Sequence, residues 1–174
     1  MTRRRPAAAR LWVRELGPDD SAVLDTVFAG LSANSRYLRF HAPVSTMSGA
    51  VRGSLAAVDG HRHIALAAFA GAEPVGIVRI IGQDHGRAEL AVEVVDAWQG
   101  RGVGTCLLAA VRDRAAQLGH RALVAEVFAE NTAMRAVLRR VFPTARTRSD
   151  GAELTITLPV VVDEPSDRVT RIPA

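Results

Sequence analysis

The chain is predicted to fold as an α/β domain, a mixed β-sheet covered by helices. Three observations predict it. Apolar residues recur at helical spacing in some stretches, and β-rich runs bounded by turn residues fill others. Three of the β-rich runs follow one another with only turns between them, which makes an antiparallel meander. Later in the chain a strand, a glycine-rich turn, a helix and a strand come in that order, which is a βαβ crossover.

The elements follow in order. Residues 11–16 (Leu-Trp-Val-Arg-Glu-Leu) read as a strand. Gly17-Pro-Asp-Asp then opens a helix, since proline suits a first turn and aspartates suit its positive end. Val23, Leu24, Val27, Phe28 and Leu31 give that helix one apolar side. A second helical piece covers residues 32–40 and stops before Pro43. Ser45 is placed to cap a third, reaching about Val58. The meander strands are residues 63–69, 75–81 and 87–95, separated by Gly71-Ala-Glu-Pro and Gln83-Asp-His-Gly. A helix over 102–118 carries Val103, Leu107, Val111 and Leu118 at helical spacing, with Gly119 as its stop. A strand at 122–128, a helix at 132–141 ended by Pro143, and a strand at 153–161 complete the domain. Because the crossover can skip a position, whether the third meander strand and the 122–128 strand are neighbours is left open.

Length and composition fit one domain over 11–161, flanked by a basic tail (1–10) and a polar tail (162–174), both expected to be mobile. No apolar run is long enough for a membrane span, and the basic start leads into no secretory signal. One cysteine, Cys106, excludes an internal disulfide framework and a Cys-rich zinc site, and points to the reducing cytoplasm. The net charge of +4 resides partly in Arg3, Arg4, Arg5 and Arg10, with no basic stripe interleaved with aromatics, so a nucleic-acid surface is not indicated. There is no lysine: all 22 Lys+Arg positions hold arginine.

Chemistry concentrates in Trp98-Gln-Gly-Arg-Gly-Val-Gly-Thr105, between a strand and a helix. Gly100, Gly102 and Gly104 let the backbone approach a ligand without a Cβ in the way. The unpaired N–H groups of the first helical turn, with the helix dipole, suit a pyrophosphate, and Arg101 adds a positive charge. A dinucleotide fingerprint does not fit, because the third glycine of G-x-G-x-x-G would fall on Thr105. A Walker-type loop requires a lysine, and the chain has none. What remains is Gln-x-x-Gly-x-Gly after a strand.

Gln99-Gly-Arg-Gly-Val-Gly resembles the pyrophosphate loop of the GNAT (Gcn5-related N-acetyltransferase) superfamily, and the element order over about 11–160 is similar to that fold. Ser35-Arg-Tyr-Leu-Arg-Phe, Ala88-Glu-Leu-Ala and Glu130-Asn-Thr-Ala-Met-Arg further resemble the catalytic domain of bacterial Pat-type protein lysine acetyltransferases. The resemblance implies an enzyme that uses acetyl-CoA as cosubstrate, without a metal, and an amine acceptor, with a protein lysine favoured. It implies that Val92, Glu93 and Val94 pair with the pantetheine arm, that the strands beside them splay apart, and that Gln99, Gly100, Arg101, Gly102, Val103, Gly104 and Thr105 hold the pyrophosphate. Asn131 would bond the cofactor, a role compatible with capping its own helix. GNAT domains commonly dimerise, so a homodimer is an expected assembly.

An alkylammonium has a pKa near 10.4, so a neutral-pH acceptor arrives protonated and a general base is useful. Glu89 and Glu93 lie four apart on one strand and face the same side, while Leu90, Val92 and Val94 face the other, towards the core. Glu89 matches the base glutamate of the Pat-like group and is the expected base; Glu126 is the alternative. Many family members place a tyrosine seven residues after the asparagine as general acid. Here that position is Leu138, and the only tyrosine is Tyr37. A thiolate leaves readily near neutral pH, so the loss puts the acid in doubt more than the activity. Cys106 reads as a small buried hydrophobe, the His61/His63 pair lacks a ligand cluster, and Trp98 is expected to pack beside the loop. Two other functions fit the same residues: a small-molecule amine acetyltransferase, and a non-catalytic acyl-CoA-binding module. An open acceptor groove over 32–58 would favour a protein, and a closed pocket lined by carboxylates a polyamine or aminoglycoside.

Overall fold

The computed structural model describes residues 10–161, so both predicted tails, apart from Arg10, lie outside the described residues. Seven strands form one sheet in the order β1-β2-β3-β4-β5-β7-β6. They are β1 (Leu11–Glu15), β2 (His63–Ala70), β3 (Glu73–Gly82), β4 (Arg87–Val94), β5 (Ala122–Phe128), β6 (Arg146–Asp150) and β7 (Glu153–Pro159). The helices are α1 (Ser21–Ala29), α2 (Ala33–Phe40), α3 (Gly49–Ala56), α4 (Val103–Gln117) and α5 (Thr132–Val141). The predicted α/β class and mixed sheet hold: every pairing is antiparallel except that of β4 with β5.

The two central strands are apolar at nearly every position because both of their faces are covered. On one face Ile64, Leu66, Val78, Ile80, Leu90 and Val92 pack under α4 and α5. On the other, Ala65, Ala67, Phe69 and Ile77 pack with Leu24 and Val27 of α1. Burying both faces gives the sheet two cores, each removing roughly 25 cal/mol per Å² of apolar surface from water. The first residue of α4 sits on β3 at Gly76, where a Cβ would come within 2.9 Å of the Glu93 carbonyl and 3.2 Å of Val103. This glycine sets how closely the helix, and the turn before it, approach the sheet.

Pairing of β4 with β5 settles the open question of adjacency. The strands are neighbours, but only Arg87, Ala88 and Glu89 pair with Ala122, Leu123 and Val124. Beyond them the strands part, as the resemblance implied. The sheet opens at the C-terminal ends of β4 and β5, the end from which the crossover leaves.

Two predicted boundaries are corrected and one strand is added. α1 begins at Ser21, after a turn in which Asp20 N–H donates to the Gly17 carbonyl (3.1 Å). The Asp20 carboxylate is drawn away by Arg14 of β1 (2.7 and 2.8 Å) and the Gly17 N–H (2.8 Å), so it does not cap the helix. α3 begins at Gly49 and is capped by Ser48, whose hydroxyl accepts from the Val51 N–H, while Ser45 offers its carbonyl to Arg36. β6 was not predicted; it is an exposed edge strand hairpinned to β7 through Gly151, whose φ is +62°. Exposed arginines on a sheet edge discourage pairing with another chain.

Candidate active site

β4 carries the site because its alternation splits two chemistries. Leu90 and Val92 go into the α4 core, while Glu89, Ala91 and Glu93 face α2 and α3. Glu93 is buried and pairs with Nε of Arg39 on α2. Next to it in the sheet, Arg79 of β3 stands opposite Ala91 and is 2% exposed. Its Nη1 donates to the Leu55 carbonyl and to Nε2 of His63, both at 2.7 Å. Nε and Nη2 of Arg79 have no partner among the described residues. Burial lowers the Arg79 pKa, the Glu93 charge opposes that shift, and Arg39 adds to it. Since a guanidinium has no acceptor, His63 must offer a bare Nε2, and burial followed by the Arg79 charge holds its pKa below the ordinary value. Glu89 is exposed and makes no salt bridge with any described residue. Glu89, Arg79 and Arg39 line one cavity of about 230 Å³, walled on its far side by Phe40 of α2 and by Ser54 and Leu55 of α3.

α2 also bridges the open end of the sheet. While Arg39 reaches Glu93 on β4, Tyr37 stacks on Phe128 of β5 with ring centroids 5.1 Å apart. From residue 90 onward β4 has no ladder partner on its β5 side, so its backbone there is a free strand edge. Val92 and Val94 take their ladder on the other side from Val78 and Gly76, and Glu93 from Ile77.

The glycine turn lies at the open end. Gly100 (φ +69°) and Gly102 (φ +85°) take left-handed backbone conformations, which explains glycine at both positions locally. Gly104 is different. It is helical, and an added Cβ would lie 3.8 Å from Val137, an ordinary contact. Nothing among the described residues requires glycine there. The first intrahelical bond of α4 is Cys106 N–H to the Gly102 carbonyl, so the N–H groups of Val103, Gly104 and Thr105 have no partner among the described residues. Arg101 is exposed and its guanidinium lies 5.2 Å from the Trp98 ring centre. Gln99 is exposed, and its amide donates to the Val94 carbonyl (3.1 Å) and the Ser35 hydroxyl (3.2 Å), holding the turn to β4 and α2.

The other expected residues are dispersed. Glu126 is exposed on β5, opposite Thr155 of β7. Asn131 caps α5, its side chain accepting from the Met134 N–H (3.1 Å). Leu138 is wholly buried in the α4–α5 core, so the place of the family tyrosine is a packing position. The sequence signal for Arg79 is a lone charge inside the apolar run of β3.

Comparison with known proteins agrees with this geometry. A family model described as "Acetyltransferase (GNAT) family" matches residues 34–142. The GNAT domain of S. lividans PAT superposes with a TM-score of 0.78 at 28% identity, over 84% of this chain and 89% of that one. The ribosomal-protein-S18-alanine N-acetyltransferase from Escherichia coli gives 0.65 at 17% identity, over 90% and 98%. The PaiA N-acetyltransferase from Thermoplasma acidophilum, in complex with coenzyme A, gives 0.68 at 14% identity, over 86% and 99%. The last two likenesses speak to the fold alone.

Proposed function

Because the chain belongs to the GNAT acetyltransferase family, we propose that it transfers an acetyl group from acetyl-CoA to a primary amine by direct attack, with both substrates bound together. The observation that carries this reading is the unpaired Glu89 carboxylate beside a cavity, on the strand that leaves its neighbour immediately afterwards.

The residues present fit acetyl-CoA. The partnerless N–H groups of Val103, Gly104 and Thr105, at the positive end of a 15-residue helix, suit a pyrophosphate. Gly104 leaves it room, and Gly100, Gly102 and Arg101 complete the turn. The free edge formed by Val92, Glu93 and Val94 suits the amide groups of a pantetheine arm, with Asn131, at the start of α5, as a further contact. Acetyl-CoA supplies an activated acyl carbon. Glu89 takes the proton from the incoming ammonium, directly or through water, so that the nitrogen lone pair is free to attack. Backbone N–H groups at the splayed edge stabilise the charge that develops on the carbonyl oxygen. Glu93 is committed to Arg39, which leaves Glu89 ahead of it as base; Glu126, on the far side of the gap, is the alternative.

Two acceptor classes compete. The Pat-like motifs and the likeness to S. lividans PAT support a protein lysine. The walled cavity supports a small amine, and its arginine lining argues against polyamines and aminoglycosides. We place the reaction in the reducing cytoplasm on cysteine usage, within one catalytic domain over 11–161, and keep a homodimer as the assembly to test.

The test is Glu89→Gln. Turnover with the best amine of a broad panel should fall about 10²- to 10⁴-fold while acetyl-CoA affinity by calorimetry is kept. Unchanged turnover would remove Glu89 from the mechanism and turn attention to Glu126.

A further inference from the structure

We propose that the cavity beside Glu89 recognises an acceptor bearing a carboxylate as well as an amine, which makes the substrate class a free amino acid or a similar small aminocarboxylate. This rests on the reading of that cavity as the acceptor site.

The cavity is lined by a guanidinium whose hydrogen bonding is incomplete. Arg39 and Arg79 both line it, and the one carboxylate buried with them, Glu93, is already bonded to Arg39. A guanidinium buried to 2% exposure with Nε and Nη2 unpartnered is a costly arrangement, because its desolvated donors have lost water and gained nothing. The groups around it do not complete it: the Leu55 carbonyl and His63 both bond the third nitrogen, Nη1. What completes it is an acceptor-only anion, and a carboxylate meets two neighbouring guanidinium N–H groups at once.

The same cavity supplies the complement. Glu89 lies two residues along the same face of β4 from Ala91, which is directly opposite Arg79. Such diagonal neighbours have backbones roughly 7–8 Å apart. One cavity is therefore lined by a free carboxylate and by an arginine with two unfilled donors. An ammonium at Glu89 and a carboxylate at Arg79 satisfy both, and the amine is left where the proposed base acts. A polycation would instead bring positive charge against two arginines. At about 230 Å³ the cavity has space for a molecule of amino-acid size.

The experiment compares matched pairs on the full chain. Glycine, β-alanine, 4-aminobutyrate, glutamate and lysine are each assayed against the primary amide of the same molecule, alongside a lysine peptide with uncharged flanks. At least one acid should exceed its amide ten-fold or more in kcat/KM, and Arg79→Met should erase that preference. Equal rates for acid and amide in every pair, or a peptide preferred over all the acids, would overturn the proposal. Should Arg79→Met fail to fold, the comparison on the natural chain decides alone. A second readout is independent of turnover: calorimetric titration of the N-acetylated acids and N-acetylated amides into protein saturated with CoA. Binding of the acids but not the amides, with no amine turned over, keeps the carboxylate site and sinks the transfer reading. Binding that does not distinguish acid from amide sinks the carboxylate site.

Discussion

Gly104 separates two reasons for a glycine. Gly100 and Gly102 are required by positive φ, so replacing either one disturbs the turn itself. Gly104 is helical with room for a methyl group, so Gly104→Ala isolates the ligand's need for space. Thermal stability should hold or rise, by up to roughly 1 kcal/mol, because alanine is the better helix former. Acetyl-CoA affinity should fall about ten-fold or more, the cost of overpacking a close contact by a methyl group being ~1–3 kcal/mol. Calorimetry beside a thermal melt reads both. A parallel loss of stability and affinity would mean that the glycine serves the helix. The glycine turn was legible in the sequence because a demand on φ, or on approach, belongs to one residue and its immediate neighbours. The role proposed for Arg79 was not, because its burial arises only when α3 and β2 pack against it, and the Leu55 carbonyl and His63 they bring bond Nη1 alone.

At the scale of the element, the first helix shows how a local signal is overridden. Asp20 suits the positive end of a helix until β1 presents Arg14, and a bidentate guanidinium outcompetes a backbone N–H. The Arg14 bonds, with the Gly17 N–H, hold the Asp20 pKa down to about 2. As pH falls, the unfolded chain therefore takes up this proton first, near the ordinary pKa of about 4. The contribution is complete above pH about 4 and is lost towards pH about 2. The pair is partly exposed, so solvent screening limits it to about 1 kcal/mol or less. Urea unfolding of the natural chain and Asp20→Asn should differ most above pH 4 and converge below it; a difference independent of pH would detach Asp20 from the acid limb. The bounds of β5 and α5 were readable because Asn131 caps and Pro143 stops within their own stretch. β6 was missed because it is exposed throughout and has no apolar alternation; its one signal was the Asp150-Gly151 turn.

Across the whole molecule, two cores clamp a sheet that is continuous at β1 to β4 and again at β5 to β6, and is joined by only three residue pairs between them. Helices on both faces, α2 above and α4 below, hold the two halves together where hydrogen bonds do not. Amides near residues 90–94 should exchange with solvent faster than those of β2 and β3. Saturating acetyl-CoA should slow them selectively in hydrogen-exchange mass spectrometry; protection confined to the 100–105 turn would refute pairing of the donor with the strand edge. The gap has a consequence beyond catalysis. On the proposed reading, the acyl donor is the missing strand of the sheet, and the folded state is finished only when it is bound. A ligand at a hundred times its Kd adds about 2.7 kcal/mol to stability, a sizeable share of what holds a domain together. When donor runs short, more of the chain opens and becomes available to proteases, so the amount of enzyme follows the supply of its own substrate without a separate regulator.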